Sequence, residues 1–206
     1  MPKENKIMVG PACAFTNKRG AGTSLLHEEG HALDYSIGVE LGFGGHVSVA
    51  KNFGPKVVKE LTETLFQEAD TFIAANPEFE KGWSLNRKRE RYFKLKFIES
   101  EYRDHPVKGI PTRFIKTLEG DDHLLSAFSD IINGVSGGKI DLGYCHKKDY
   151  WDDASIGKET FTHLGTISES SKGVSLLESY LPENYKMWKG FLKSGADAVI
   201  NRLRSR

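Results

Sequence analysis

A mostly helical α+β fold is what this sequence predicts, on three observations. Apolar residues recur every three or four positions over several long segments. Only a short β-branched run precedes them, and glycine and proline fall between the segments more than inside them. Lys6-Ile7-Met8-Val9 has the character of a short strand, closed by Gly10-Pro11. Thr23 or Ser24 can cap a helix that runs through Leu25, Leu26, His27, His31, Ala32 and Leu33 and stops near Gly38. Gly42 to Gly45 predicts a loop, since glycine loses the most backbone freedom on entering a helix.

From Lys56 to Ala75, the spacing of Val57, Val58, Leu61, Leu65, Ala69, Phe72 and Ile73 predicts an amphipathic helix that Asn76-Pro77 closes. Lys81 to Phe97 is densely charged, and Leu118 to Gly134 predicts another helix on Leu124, Leu125, Phe128, Ile131 and Ile132. A short extended piece is expected around Ile140 to Tyr144, followed by helices near 158–169, 173–180 and 183–204. The length of 206 residues fits a single domain over 1–206, with a helical insertion around 55–105.

Composition narrows the function classes. Charged residues make up 28% and hydrophobic ones 38%, which is enough apolar material to fold. The formal net charge of +1 supplies no global attraction to nucleic acid or to an acidic membrane. The basic run from Trp83 to Phe97 is interleaved with aromatics, as nucleic-acid surfaces are, but the balanced charge favours a solvated helix or a dock for an acidic partner. Two cysteines, Cys13 and Cys145, are too few for a disulfide scaffold and point to a reducing compartment. No signal peptide and no membrane-length apolar run is evident, so a cytoplasmic or virion-associated location, or delivery by a non-classical route, is expected.

His27-Glu28-Glu29-Gly30-His31 has the pattern H-E-x-x-H. Residues four apart share one helical face, so the two imidazoles can share one Zn²⁺. Glu28 projects beside them, within reach of a water that the metal has made acidic, and is the candidate general base. Gly30 weakens a helix by about 1 kcal/mol relative to alanine, so helix formation alone does not account for the pentapeptide. A catalytic zinc needs a third protein ligand. No further histidine follows in the three-histidine spacing, which leaves a carboxylate, with Glu159 and Glu169 as competitors.

The segment from His27 to Asp34 resembles the H-E-x-G-H-A-x-D helix of the anthrax lethal factor-like zincins. Gly137-Gly138-Lys139-Ile140, Gly143-Tyr144-Cys145-His146, Asp149-Tyr150-Trp151 and Glu159-Thr160-Phe161 resemble the version of that fold found in phage head-morphogenesis and polymorphic-toxin proteins. Leu181-Pro182 and Tyr185 are similar to the proline-tyrosine step after the ligand helix. The resemblance covers the N-terminal fifth and most of the C-terminal third, and nothing between 50 and 118. It implies a zincin-like metallopeptidase fold with His27, His31 and Glu159 as zinc ligands, Glu28 as base and a protein or peptide substrate. It also implies that the chain can be part of a larger phage or toxin polypeptide.

The same resemblance makes Asp34 a residue that orients a ligating imidazole or the helix, against the plain alternative of a surface aspartate. The family's transition-state tyrosine stands closer to the glutamate ligand than Tyr150, which lies nine residues before Glu159. Tyr150 is therefore either an oxyanion donor or an aromatic anchor beside Trp151. Thr162 and His163 stand where the family carries an alanine and an acidic residue. Two rival readings accompany the peptidase: a catalytically silent zincin-like module in a phage head or toxin assembly, and a nucleic-acid binder using Arg87, Lys88, Arg89 and Arg91.

Overall fold

The computed structural model describes residues 23–98, 118 and 120–205, and all regular structure among them is helical. In chain order, α1 is Thr23–Glu40, α2 Val47–Ala50 and α3 Phe53–Leu61. A π-helical turn, Thr62–Phe66, carries α3 into α4, Gln67–Ala75. Then follow α5 Leu85–Phe97, α6 Asp122–Val135, a 3-10 turn Lys148–Tyr150, α7 Asp153–Ser168, α8 Ser171–Tyr180 and α9 Pro182–Arg204.

α7 organises the rest. It packs on α1, α3 and α6 and also meets α2 and α8. Enclosed in this way, it buries Ile156, Phe161, Leu164 and Ile167 together with the polar Glu159, Thr162 and His163, and polar groups taken out of water need partners inside the fold. Its start is fixed by a reciprocal cap, in which Asp152 accepts from the Ser155 backbone N–H and the Ser155 hydroxyl accepts from that of Asp152. Where α3 crosses α7, a Cβ on Gly54 would sit 2.0 Å from the Asp153 carbonyl oxygen, so only glycine allows the two backbones to meet there. One buried apolar cluster runs from Ile37 to Trp188 and includes Phe66, Phe93 and Phe97 from the 55–105 stretch.

The β component of the predicted fold is not found among the described residues; Lys6 to Val9 lies outside them. Ile140 to Tyr144 is irregular where an extended piece was expected. Side chains satisfy its backbone in place of a partner strand. The Ile140 N–H donates to Ser136 Oγ, its carbonyl accepts from Asn133 Nδ2, and the Tyr144 N–H donates to Ser129 Oγ.

The basic run on α5 is largely spent within the fold. Arg89 Nε donates to Asp70 at 2.7 Å, Arg91 pairs with Glu80 at 3.3 Å and Lys94 with Glu90 at 2.7 Å. Fully buried Lys96 meets Glu68, which also accepts from Tyr92 and Tyr180. Among the described residues, no helix is long and apolar enough to cross a membrane.

Asp34 is fully buried rather than on the surface, and its hydrogen bonds go to Ser48 of α2, with the His46 and His31 imidazoles acting on it only through charge. Its Oδ1 accepts from the Ser48 backbone N–H at 2.9 Å and its Oδ2 from the Ser48 hydroxyl at 2.6 Å, which ties the C-terminal half of α1 to α2. Burial pushes its carboxyl pKa up, against the lowering effect of the Ser48 bonds. Asp34→Ala should cost about 2 kcal/mol in urea unfolding, because it strands two buried Ser48 donors, while Asp34→Asn should cost less because it keeps an acceptor.

Candidate metal centre

The pattern on α1 and the interior of α7 meet face to face. Gly30 is the reason they can approach, since a Cβ there would lie 2.6 Å from Thr162 Cγ2. The glycine that weakens α1 as an isolated helix is thus required by packing. Across this contact, Nε2 of His27 and Nε2 of His31 are 3.1 Å apart. Glu159 reaches between them, with Oε2 at 3.1 Å from His27 Nε2 and Oε1 at 3.5 Å from His31 Nε2.

These separations are compatible with ligands that share one cation. Ligand atoms about 2.0–2.1 Å from a tetrahedral zinc lie roughly 3.3 Å from one another. Glu159 is 2% exposed, yet apart from its 3.1 Å contact with His27 its Oε2 makes no well-aligned hydrogen bond, and His27 Nδ1 makes none. A buried, unsatisfied carboxylate oxygen beside two imidazole nitrogens is the donor set a divalent cation completes. Burial opposes ionisation of Glu159, but His27, His31 and the Tyr150 hydroxyl outweigh it and hold the carboxyl well below its usual range.

Tyr150 donates its hydroxyl hydrogen to Glu159 Oε1. Burial, and then the carboxylate it faces, push its phenol pKa well above the ordinary value, so it stays a donor at neutral pH. Its ring is 40% exposed and stacks on His146 at 4.1 Å between centroids, so it is no core anchor. That part falls to Trp151, whose ring lies against Gly134 and whose Nε1 donates to Asn133.

Glu28 is exposed on α1 beside this cluster. Glu169 is exposed at the C-cap of α7. Ten residues along one helix separate it from Glu159 by about 15 Å, so the structure brings Glu159, and not Glu169, to the two histidines. No family model, curated protein or solved structure matches this chain. The centre is therefore read from its own residues.

Thr162 and His163 both lie against these residues. Thr162 Oγ1 lies 3.1 Å from His31 Nδ1. A threonine hydroxyl can accept from Nδ1–H, which leaves the Nε2 lone pair directed at Glu159 and His27. His163 packs its ring 4.8 Å from that of His27. Sequence reasoning did not assign either one a role, although a signal was available: Thr162 and His163 stand three and four residues after Glu159 and so share its helical face. Thr162→Val, nearly isosteric, should weaken zinc binding by about 10- to 100-fold in chelator competition while leaving the unfolding midpoint close to wild type.

Behind the centre, fully buried Asp130 on α6 receives two further imidazoles. His163 Nε2 is 2.9 Å from Oδ2, and His146 Nδ1 is 2.9 Å from Oδ1. Burial favours the protonated acid, but hydrogen bonds from His146 and His163 outweigh it and lower the Asp130 pKa to about 2. Burial lowers the pKa of His163, against the pull of Asp130. Because the folded protein binds the Asp130 proton less readily than the unfolded chain does, this stabilisation is complete above about pH 4 and fades as the pH falls toward 2. Metal-free protein should lose about 2 kcal/mol from this group across that window, read as a falling urea midpoint.

Proposed function

We propose that the chain is a zinc-dependent peptidase of the zincin kind, with His27, His31 and Glu159 as the metal ligands and Glu28 as the general base. The observation that carries this reading is the convergence of Glu159, from the buried helix α7, on the two histidines of H-E-x-x-H at coordination-shell distances. A zinc ion held there supplies Lewis acidity, which polarises a peptide carbonyl and makes a neighbouring water acidic.

The remaining steps belong to side chains of this chain. Glu28 takes one proton from the attacking water as its oxygen bonds to the carbonyl carbon, then delivers that proton to the amide nitrogen as the C–N bond breaks. Tyr150 turns its one hydroxyl hydrogen from Glu159 Oε1 to the oxygen of the tetrahedral intermediate. Its partly exposed ring and inward hydroxyl support that role. Thr162 keeps His31 in the ligating tautomer. The likeness to the lethal factor-like branch rests on the His27 to Asp34 segment and on Glu159-Thr160-Phe161.

Metal content and cleavage test this together. Purified wild type dialysed against zinc should retain metal and cut members of a peptide library. A chain that stays metal-free after zinc is offered would overturn the reading, and one that holds zinc without cutting any peptide would be the silent binding module.

A further inference from the structure

We propose that the centre is binuclear, with a second divalent-cation site formed by Asp130, His146 and Glu159 and closed from behind by His163. This rests on the reading of His27, His31 and Glu159 as the first site. The donor atoms of Asp130, His146 and Glu159 all lie within 4.8 Å of one another, and those of His27, Glu159 and His163 form a second such group. Glu159 belongs to both. Both oxygens meet first-site histidines, Oε2 at His27 and Oε1 at His31, and Oε1 also accepts from Tyr150, whose ring stacks on His146, so that edge of the carboxylate borders the second group. A shared carboxylate is how two cations about 3.5–4 Å apart are held in two-metal hydrolases.

Charge argues in the same direction. Asp130 is 0% and Glu159 2% exposed, so two carboxylates are buried within 4.8 Å of each other. Among the described residues, the ion-pair contacts of both are histidines, with no lysine or arginine. Two anions held this close in a low-dielectric interior repel strongly unless a cation lies with them. One cation between His27, His31 and Glu159 leaves Asp130 facing imidazoles alone.

The Asp130 to His146 separations of 2.9 and 3.1 Å are hydrogen bonds, and a shared ion would take the place of the bridging proton with the two groups opening to roughly 3.3 Å. Imidazole with carboxylate selects zinc, manganese or cobalt over calcium, which takes oxygen ligands. Three elements meet at this second site: α6 brings Asp130, α7 brings Glu159 and His163, and the loop before the 3-10 turn brings His146. The 29% exposure of the His146 side chain leaves a side open to solvent for exchange of the ion.

The test is the metal stoichiometry of the full chain, stripped with chelator and then titrated with zinc by calorimetry, with elemental analysis after desalting. Wild type should take up two equivalents, and both His146→Ala and Asp130→Asn should take up one. Asp130→Asn alters a fully buried group, so His146→Ala, with native circular dichroism, carries the comparison if Asp130→Asn does not fold. In cobalt-loaded wild type, two ions sharing Glu159 should show magnetic coupling that His146→Ala abolishes. Saturation of wild type at one equivalent, or at two in both wild type and His146→Ala, overturns the second site and leaves the first intact. No uptake at all overturns the first site along with it.

Discussion

Glu28→Gln should lower peptide cleavage by about 10²- to 10⁴-fold while leaving zinc content unchanged. The substitution keeps the size of the side chain and one acceptor oxygen but removes the basicity needed to take a proton from water. Glu28 is exposed, whereas His27 and His31 turn inward toward Glu159, so the change touches neither a ligand contact nor the α1–α7 packing. The deficit belongs in kcat, measured by steady-state cleavage of a fluorogenic peptide chosen from the library, with zinc measured on the same samples. A variant that retains full activity would show that another group accepts the proton. Loss of zinc together with activity would instead place Glu28 among the groups that hold the metal.

Glu159→Ala should reduce zinc affinity by more than the roughly 100-fold loss typical of removing a group that only orients a ligand, and should abolish cleavage with it. Glu169→Ala, at the exposed end of the same helix, should leave both unchanged. The comparison is informative because the two residues are chemically identical and lie on one element. Only Glu159 faces the imidazoles, within 3.1–3.5 Å of both. Because Glu159→Ala also removes a buried carboxylate, its unfolding midpoint should be recorded beside the zinc measurement. A folded Glu159→Ala that still binds zinc tightly would remove Glu159 from the ligand set.

Most helices were legible because helical burial leaves a local record. The recurrence of Val57, Leu61, Leu65, Ala69 and Phe72 marks α3 and α4, and Leu124, Phe128, Ile131 and Ile132 mark α6, since each side chain enters the core from a predictable face. The π-helical turn at Thr62–Phe66 leaves no such record, because one widened turn barely disturbs the apolar spacing. The extended reading of Ile140 to Tyr144 failed for a related reason. Its alternating residues look like a strand, but a strand needs a partner, and the side chains of Ser129, Asn133 and Ser136 take its backbone bonds.

The residues of the candidate centre divide along the same line. His27 and His31 share one face of α1 with Glu28 beside them on sequence grounds alone, because a spacing of four is one turn whatever surrounds the helix. The sequence also supplied a short list of carboxylates, and resemblance rather than spacing chose Glu159 from it. Helix crossing, by contrast, buries α7 among its neighbours, lets it approach α1 closely at Gly30 and gathers Thr162, His163, Asp130 and His146 around His27, His31 and Glu159. Contacts between residues more than a hundred positions apart, such as Thr162 with His31, depend on how helices cross. Crossing geometry comes from the packing of whole surfaces, and no short stretch of sequence records it.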